Sequence, residues 1–235
     1  MDSVARTLAL ELVNRLEGSS PDSRILVAIA GLPASGKTTL CISLLHHTNA
    51  ILTERNLSEQ AIVVGQDGWH LSRAQLAALP DPQLATERRG IHWTFDAPSY
   101  LSFLQSLRLP LSPDAQRITA PAFDHAVKDP SYDALTILPA HRIVIIEGLY
   151  VFLNLEIWKD AAVLMDERWL LSVDNDEARR RLIKRHVVTG ICRDAAEAQW
   201  RADENDLPNG AFVLENMFSP TRVIESTDGL QEIAG

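Results

Sequence analysis

The sequence has few cysteines, a deficit of basic residues and no long apolar run. Only two of its 235 residues are cysteine, Cys41 and Cys192, which disfavours both a disulfide framework and a cysteine-ligated metal centre. Acidic residues outnumber basic ones by 31 to 22, giving a formal net charge of −9 that repels nucleic acid and anionic membranes. No apolar run approaches the roughly 20 residues of a membrane-spanning helix. We therefore expect a protein that binds neither nucleic acid nor membrane.

The N-terminus also lacks the features of a targeting peptide. Asp2, Glu11 and Glu17 place negative charge where a secretory or transit peptide is basic or apolar. With 46% hydrophobic and 23% charged residues, the composition is that of a globular protein, and no repeat or linker divides it. We expect one cytoplasmic domain over residues 1–235, with both cysteines as small core residues. The sequence does not indicate the oligomeric state.

The most informative stretch is residues 31–38, which fit the phosphate-binding pattern G-x-x-x-x-G-K-[ST]. The apolar run 25–30 before it predicts a buried strand, and residues 39–45 after it predict a helix. In this context Lys37 is expected to reach the β- and γ-phosphates, and the Thr38 hydroxyl is expected to bind Mg²⁺. The residues expected to contact the nucleotide are Gly31, Leu32, Pro33, Ala34, Ser35, Gly36, Lys37, Thr38 and Thr39.

Two further predicted strands end in a carboxylate. Residues 61–65 run into Asp67, and residues 142–146 run into Glu147. Ligands of open parallel sheets bind beyond the carboxyl ends of the strands, so both acids are candidates for the Mg²⁺ side of the site. The alternatives are that Asp67 only forms a turn before Gly68 and that Glu147 only begins a loop.

The long segment at about 68–130 is predicted to be a substrate insert. It is too polar and too rich in proline for the main core, and connections of this length are usually functional. Asp96 is expected to cap a helix that runs through Leu107, and residues 122–130 form either a loop or a hairpin. The aromatic residues of the insert are interpreted mainly as core residues; the alternative is that they stack against a substrate.

A basic helix follows the predicted strand 168–173. It begins at Asp174 or Asn175 and contains Arg181 and Arg185, which share one helix face. One interpretation is a solvated helix paired with neighbouring acids; the other is a mobile lid, at about 176–204, whose arginines close over the phosphoryl group.

The remaining elements are predicted from periodicity and turn residues. An amphipathic helix is expected at 3–17, and residues 46–49 are expected to end the helix after the phosphate loop. A second lid helix is expected at 195–201, broken by residues 205–210. Residues 211–214 and 222–224 are expected to be closing strands, with a frayed C-terminus beyond them.

The ordered set of these motifs resembles the uridine kinase, phosphoribulokinase and pantothenate kinase group. Four stretches, 94–96, 123–130, 145–150 and 205–209, are similar to a less characterised branch of small-molecule kinases with bacterial and fungal members. The similar segments span roughly residues 25 to 225. The resemblance implies a P-loop NTPase fold of the nucleotide-kinase type: a three-layer α/β/α arrangement with a five-stranded parallel sheet, a substrate insert and an arginine-rich lid.

The same resemblance implies roles for individual residues. Asp67 would accept the proton of a substrate hydroxyl, Glu147 would lie near Mg²⁺, and Arg181 and Arg185 would be lid residues. Asn209 would approach the adenine of ATP. The expected substrate-facing residues are Asp67, His70, Asp124, His125 and Lys128, and the expected metal-side residues are Thr38, Asp67 and Glu147.

The function expected from these residues is an ATP- and Mg²⁺-dependent kinase. Its acceptor would be a hydroxyl of a small polar metabolite, such as a nucleoside, a sugar or a pantothenate-like alcohol. A nucleotide-dependent switch or assembly ATPase acting on a protein partner is the alternative, although the sequence has no N-K-x-D guanine motif. A relative that binds nucleotide without catalysis is disfavoured because Lys37, Thr38, Asp67 and Glu147 are all present.

Overall fold

The computed structural model describes residues 1–112, 117–124 and 126–226. Five strands form a parallel sheet in the order β2-β5-β1-β6-β7. Their bounds are β1 (Ile25–Gly31), β2 (Gln60–Gly65), β5 (His141–Glu147), β6 (Glu167–Ser172) and β7 (Arg222–Glu225). The five-stranded parallel sheet predicted from the sequence is thus confirmed.

The central strand β1 is buried along its whole length because both of its faces are covered. Ile25, Val27 and Ile29 point to one apolar core, and the alternate residues Leu26 and Ala28 point to the other. Successive side chains of a strand face opposite sides of the sheet, so these two cores define three layers. The three-layer α/β/α arrangement is confirmed.

Two long helices cover one face of the sheet. They are α1 (Asp2–Glu17) and α2 (Lys37–Glu54). Leu8, Leu12 and Leu16 of α1 are buried against α2 and the sheet, at the i, i+4 spacing of one helix stripe. The first predicted helix therefore agrees with the structure.

The chain between β2 and β5 covers part of the other face. It contains a 3-10 turn, Gln66–Trp69, three helices and an antiparallel hairpin. The helices are α3 (Arg73–Ala77), α4 (Pro82–Glu87) and α5 (Ala97–Leu107), and the hairpin strands are β3 (Ile118–Asp124) and β4 (Asp129–Ile137). Asp96 caps α5 by accepting a hydrogen bond from the Ser99 amide at 3.0 Å. The cap and the hairpin were both among the sequence predictions.

The chain after β5 contributes the remaining helices of the described structure. It contains α6 (Trp158–Ala162), α7 (Asn175–Val188), α8 (Ala195–Arg201) and α9 (Leu207–Asn216). A single π-helical turn, Ala202–Asp206, joins α8 to α9. Asp174 caps α7 through hydrogen bonds from the amides of Asp176 and Glu177.

Three local predictions were wrong. The helix after the phosphate loop does not end at 46–49 but continues to Glu54, because Thr48 and Leu52 are buried on the stripe that packs against the sheet. Residues 205–210 do not break the second lid helix, and 211–214 are helical rather than a strand. Pro208 is tolerated because it lies just after the π-helical turn, and the Glu204 carbonyl, four residues before it, accepts a hydrogen bond from Arg88 Nη1 instead of from a helical amide.

The structure also bears on the expectations about the cysteines, membrane-spanning helices and the C-terminus. Cys41 and Cys192 are free and buried, as expected of core residues, and burial raises the pKa of the Cys41 thiol well above its ordinary value. Within the described ranges, no helix combines the length and the apolar character needed to cross a membrane. The predicted frayed C-terminus and His125 lie outside the described residues.

Candidate active site

A cleft of about 960 Å³ opens beyond the carboxyl ends of the central strands. The phosphate loop, the turn after β2, the end of β5, helix α7 and the π-helical turn all contribute to its walls. The residues that line it are Pro33, Ala34, Gly36, Lys37, Thr38, Thr39, Asp67, His70, Arg89, Gly90, Phe95, Glu147, Gly148, Leu149, Glu177, Arg180, Arg181, Lys184, Arg185, Arg201, Asn205, Asp206 and Asn209. Seven cations and four carboxylates meet here, so the cleft is positive within an acidic chain, which favours anionic ligands.

The phosphate loop forms the floor of this cleft. Gly36 has a φ of 95°, a left-handed conformation that glycine adopts without strain, and helix α2 begins at the next residue. The Lys37 ammonium donates hydrogen bonds to the carbonyl oxygens of Gly31 and Leu32, each at 3.0 Å. The positive end of α2 and the loop backbone therefore face the cleft together, which is the arrangement that binds phosphate in P-loop proteins.

Thr38 and Glu147 come together beside this loop. The Thr38 hydroxyl donates to Glu147 Oε2 at 3.2 Å, and β1 and β5 are neighbours in the sheet. Burial raises the pKa of the Glu147 carboxyl, an effect that the nearby Lys37 ammonium opposes. Burial lowers the pKa of Lys37 in turn, and the Glu147 carboxylate opposes that shift. The two charges stabilise each other in a desolvated site.

Asp67 stands at the exposed end of β2, within the 3-10 turn Gln66–Trp69. His70 packs on the ring of Phe95, with centroids 4.0 Å apart, and its Nδ1 donates to the Asp67 carbonyl oxygen at 2.8 Å. The Asp67 carboxylate is close enough to influence the pKa of both Lys37 and Glu147. The structure thus brings the two predicted acids to the same end of the cleft.

Helix α7 lies over the phosphate loop and presents its basic face to the cleft. Arg180 and Arg181 pair with Glu177 at 2.7 and 2.6 Å, and these hydrogen bonds lower the pKa of Glu177 to about 2. Arg185 is close enough to shift the pKa of Lys37 and Glu147. Arg180 and Arg181 pair with a neighbouring acid, as the first interpretation expects, and they also line the cleft; a mobile lid that closes over the phosphoryl group stays a prediction.

The wall opposite the phosphate loop is built from the insert and the π-helical turn. The Gly90 carbonyl accepts a hydrogen bond from the Tyr150 hydroxyl at 2.9 Å, and Arg88 Nη1 donates to the Glu204 carbonyl oxygen at 3.3 Å. Burial raises the pKa of Tyr150, and the carboxylates of Asp206 and Asp67 contribute to the shift. The carboxylates of Asp67 and Asp206 therefore both lie near the Tyr150 hydroxyl.

Several predicted site residues do not line the cleft. Gly31, Leu32 and Ser35 lie behind the loop surface, where the first two accept hydrogen bonds from Lys37 and the third is buried. Asp124 accepts hydrogen bonds from the amides of residues 126 and 127, and so caps the hairpin turn. The Lys128 carbonyl accepts from Arg89 Nη1, but the side chain is exposed away from the cleft lining.

Some lining residues had no signal in the sequence. Arg89 and Gly90 belong to the insert, and no periodicity or motif marks them before the chain folds; Phe95 lies in the stretch 94–96 that carries the resemblance but was not assigned to the site. Arg201 was visible as a basic residue of the second lid helix, but its direction depends on the π-helical turn that follows. Contacts that form only in the folded chain place these residues on the cleft wall.

Comparisons with known proteins agree with this architecture. The chain is 48% identical over 150 residues to the ATP-dependent kinase-like protein notR' of Aspergillus versicolor, covering 64% of this chain and 87% of that protein. It is 39% identical over 216 residues to a Schizosaccharomyces pombe protein named as a uridine kinase, covering 92% and 89%. No protein-family model matches.

Solved structures show the same fold. A protein from Silicibacter named as a fructose transport system kinase superposes with a TM-score of 0.76 and 28% identity, over 92% of this chain and 98% of that one. The kinase YFH7 of Saccharomyces cerevisiae superposes with a TM-score of 0.80 and 22% identity, over 94% and 98%. The chain belongs to the family of P-loop kinases that includes the fungal uridine kinase-like and ATP-dependent kinase proteins.

Proposed function

We propose that this protein is an ATP- and Mg²⁺-dependent kinase that transfers the γ-phosphoryl group to a hydroxyl of a small polar metabolite. The observation that carries the proposal is the convergence of Lys37, Thr38, Asp67, Glu147 and Arg185 on one cleft. Phosphoryl transfer requires positioning and neutralisation of charge more than covalent chemistry, and these side chains supply both.

The oxygen donors beside the phosphate loop fit Mg²⁺. Thr38 and Glu147 present two oxygens within hydrogen-bond distance of each other, and Mg²⁺ bound with a nucleotide needs only one or two protein oxygens besides phosphate and water. In the described part of the chain there is no cluster of three or more His, Cys, Asp or Glu that would form an all-protein metal cage. We propose Thr38 and Glu147, with Asp67 nearby, as the metal-side residues; bound Mg²⁺ would neutralise phosphate charge.

The other residues of the cleft have separate proposed roles in binding the nucleotide, orienting the acceptor and stabilising charge. Lys37 would leave the loop carbonyls to contact the β- and γ-phosphates, which relieves the cost of its burial. Asp67, exposed at the end of β2, would orient the acceptor hydroxyl and accept its proton. Arg185 would stabilise the charge that develops on the transferred group, and Arg181 would hold the lid helix over it. Asn209 would contact the nucleotide base, and His70 would contact the acceptor.

The test is ADP release from Mg-ATP in the presence of nucleosides, sugars, sugar phosphates and hydroxy acids. Strong stimulation by one class of alcohol, with one phosphorylated product per ADP, is the expected result. A flat panel with slow hydrolysis that a protein fraction stimulates would instead support the switch or assembly ATPase.

A further inference from the structure

The cationic side chains of the cleft differ in whether the protein already neutralises them. Arg89 pairs with Asp129 at 2.8 Å, and Arg180 and Arg181 pair with Glu177. Arg185 and Arg201 form no hydrogen bond or ion pair through their side chains with any residue of the described ranges. These two guanidinium groups are available to a ligand.

The two available arginines are carried by different helices of the cleft wall, α7 and α8. Arg185 acts on Lys37 and Glu147, which places it over the phosphate loop. Arg201 ends α8, eight residues before Asn209, which is about 12 Å along a helix. Three residues after Arg201, the Glu204 carbonyl contacts Arg88 of the insert, beside Gly90 of the cleft wall. Arg201 therefore belongs to the wall formed with the insert.

The guanidinium of Arg201 is partly desolvated, and although it is close enough to Glu197 to lower the pKa of that carboxyl, the two side chains form no hydrogen bond. Its Nε is buried and has no hydrogen-bond partner, although buried polar groups of folded proteins are nearly always paired. An anion that entered the cleft would supply the missing acceptor. The nearby Asp206 carboxylate is already occupied, since its Oδ2 lies 2.7 Å from His186 Nε2.

The position of Arg201 is fixed by the helix that carries it. The π-helical turn Ala202–Asp206 is held to α7 by two links, the bidentate pair of Arg179 with Asp203 at 2.6 and 2.8 Å and the contact of His186 with Asp206. Single π-helical turns inside α-helices are frequent at functional sites, because the extra residue changes the direction of the side chains around it. Here the turn brings Asn205 and Asp206 into the cleft beside Arg201.

We propose that Arg201 binds an anionic group of the phosphoryl acceptor, so that the acceptor is a small alcohol that also carries a carboxylate or a phosphate. The inference rests on the proposed kinase function and narrows its substrate class. The planar guanidinium can donate two parallel hydrogen bonds to either anion. Neutral nucleosides and free sugars would leave Arg201 without a partner and would be poor acceptors.

The test compares matched alcohols with and without the anion. The probes are glycerol with glycerate and glycerol 3-phosphate, ribose with ribose 5-phosphate, and pantetheine with pantothenate. For wild-type protein we expect kcat/KM to be at least tenfold higher for the anionic member of the active set. Comparing glycerate with glycerol 3-phosphate distinguishes a preference for a carboxylate from a preference for a phosphate.

The variant Arg201→Gln tests the residue itself. We expect it to raise the KM of the anionic acceptor by about 10- to 100-fold, to leave the KM of ATP within twofold, and to remove the preference over the neutral analogue. Arg201→Lys should restore part of the preference, because it retains the charge without the planar fork. Arg193→Gln is the matched control, since Arg193 is exposed on the same lid, pairs with Glu197 and does not line the cleft.

The two proposals fail in different ways. If Arg201→Gln weakens ATP instead of the acceptor, or if neutral alcohols are the best acceptors and respond equally in variant and wild type, the inference is wrong while the kinase function stands. If no alcohol is phosphorylated although Mg-ATP binds, the kinase function is wrong, and the inference falls with it.

Discussion

At the scale of single residues, the proposed roles of Lys37 and Asp67 differ: Lys37 would bind phosphate, and Asp67 would act on the acceptor hydroxyl. Lys37 is held in the phosphate loop by two carbonyl oxygens, whereas the Asp67 carboxylate is exposed in the turn after β2. A loss of Lys37 should therefore affect phosphate contact directly. A change at Asp67 should affect the attacking hydroxyl and leave most nucleotide contacts in place.

The substitution Asp67→Asn should separate these two roles. The amide keeps the size of the side chain but cannot accept a proton from the acceptor, and loss of a general base costs about 10²- to 10⁴-fold in rate. We expect kcat to fall by that factor while the Kd of Mg-ATP, measured by calorimetry, changes by less than about threefold. Asp160→Asn, an exposed acid of α6 outside the cleft, is the control. Equal losses of binding and turnover would identify Asp67 as a structural turn residue.

The residues that sequence reasoning located in the cleft share one property. Lys37 and Thr38 follow β1 through the phosphate loop, Asp67 follows β2 and Glu147 ends β5, so the strand pattern and the rule for parallel sheets place them at one edge. Arg201 and Gly90 follow no strand, and their place in the cleft depends on contacts between the insert and the lid. Asp124 was assigned to the substrate side, but its carboxylate caps a turn; a short motif does not reveal which way a side chain points.

At the scale of elements, the segment that carries Asp67 is positioned by the β3–β4 hairpin. A Cβ atom on Gly68 would lie 2.3 Å from the Pro121 carbonyl oxygen and 2.5 Å from its carbonyl carbon. These are backbone atoms of β3, which cannot move aside without shifting the strand. Gly68 thus permits the close approach of the hairpin to the turn that carries Asp67.

The substitution Gly68→Ala should disturb both stability and turnover. Overpacking against backbone costs about 1–3 kcal/mol, and the displaced turn should lower kcat more than it raises the KM of ATP. The free energy of unfolding from urea titration and steady-state kinetics provide the measurements. Gly65→Ala is the matched control, because a Cβ atom there would meet nothing within 4 Å. If the two variants unfold at the same urea concentration, the hairpin does not constrain the turn.

The first turn of α7 supports a prediction about pH. Hydrogen bonds from Arg180 and Arg181 lower the pKa of Glu177 to about 2, compared with about 4.3 for an unperturbed glutamate. A depressed pKa in the folded state means that the stabilisation is fully present above about pH 4.3 and is lost as pH falls toward 2. The Glu177 carboxyl carbon, followed by NMR and assigned by comparison with Glu177→Gln, should titrate well below pH 4. A midpoint near 4.3 would show that the ion pairs are absent in solution.

The helices of this region also show where sequence reasoning loses accuracy. Strand β1 was predicted from one uninterrupted apolar run, whose burial on both faces needs no tertiary information. Helix α9 was missed because Asn205, Pro208 and Gly210 are turn formers, and the π-helical turn that carries the helix through them is fixed by the pairs of Asp203 and Asp206 with α7. Local propensity was overridden by contacts made 20 or more residues away.

At the scale of the whole molecule, the two ends of the sheet have different tasks. The carboxyl ends of the strands carry the phosphate loop and the acids of the cleft. At the opposite end, the guanidinium of Arg142 is nearly buried and joins separate segments: it donates to the Ser23 carbonyl at 3.0 Å and the Ser19 hydroxyl at 2.9 Å, and it pairs with Glu59 at 3.3 Å. Glu147 lies five positions after Arg142 in β5, which corresponds to about 16 Å along a strand.

This separation predicts that stability and activity can be changed independently. Arg142→Met removes the hydrogen bonds to Glu59, to the Ser19 hydroxyl and to the carbonyls of Ser20 and Ser23. This loss should cost about 2–3 kcal/mol and lower Tm by roughly 5–10 °C. At 25 °C its kcat and its Kd for Mg-ATP should stay within twofold of wild type. Lys37→Ala should show the reverse, with turnover abolished and Tm of the ligand-free protein nearly unchanged, since its removal relieves a buried charge. A loss of Mg-ATP affinity in Arg142→Met at 25 °C would mean that the structural end of the sheet also shapes the cleft, and that the two ends are coupled through β5.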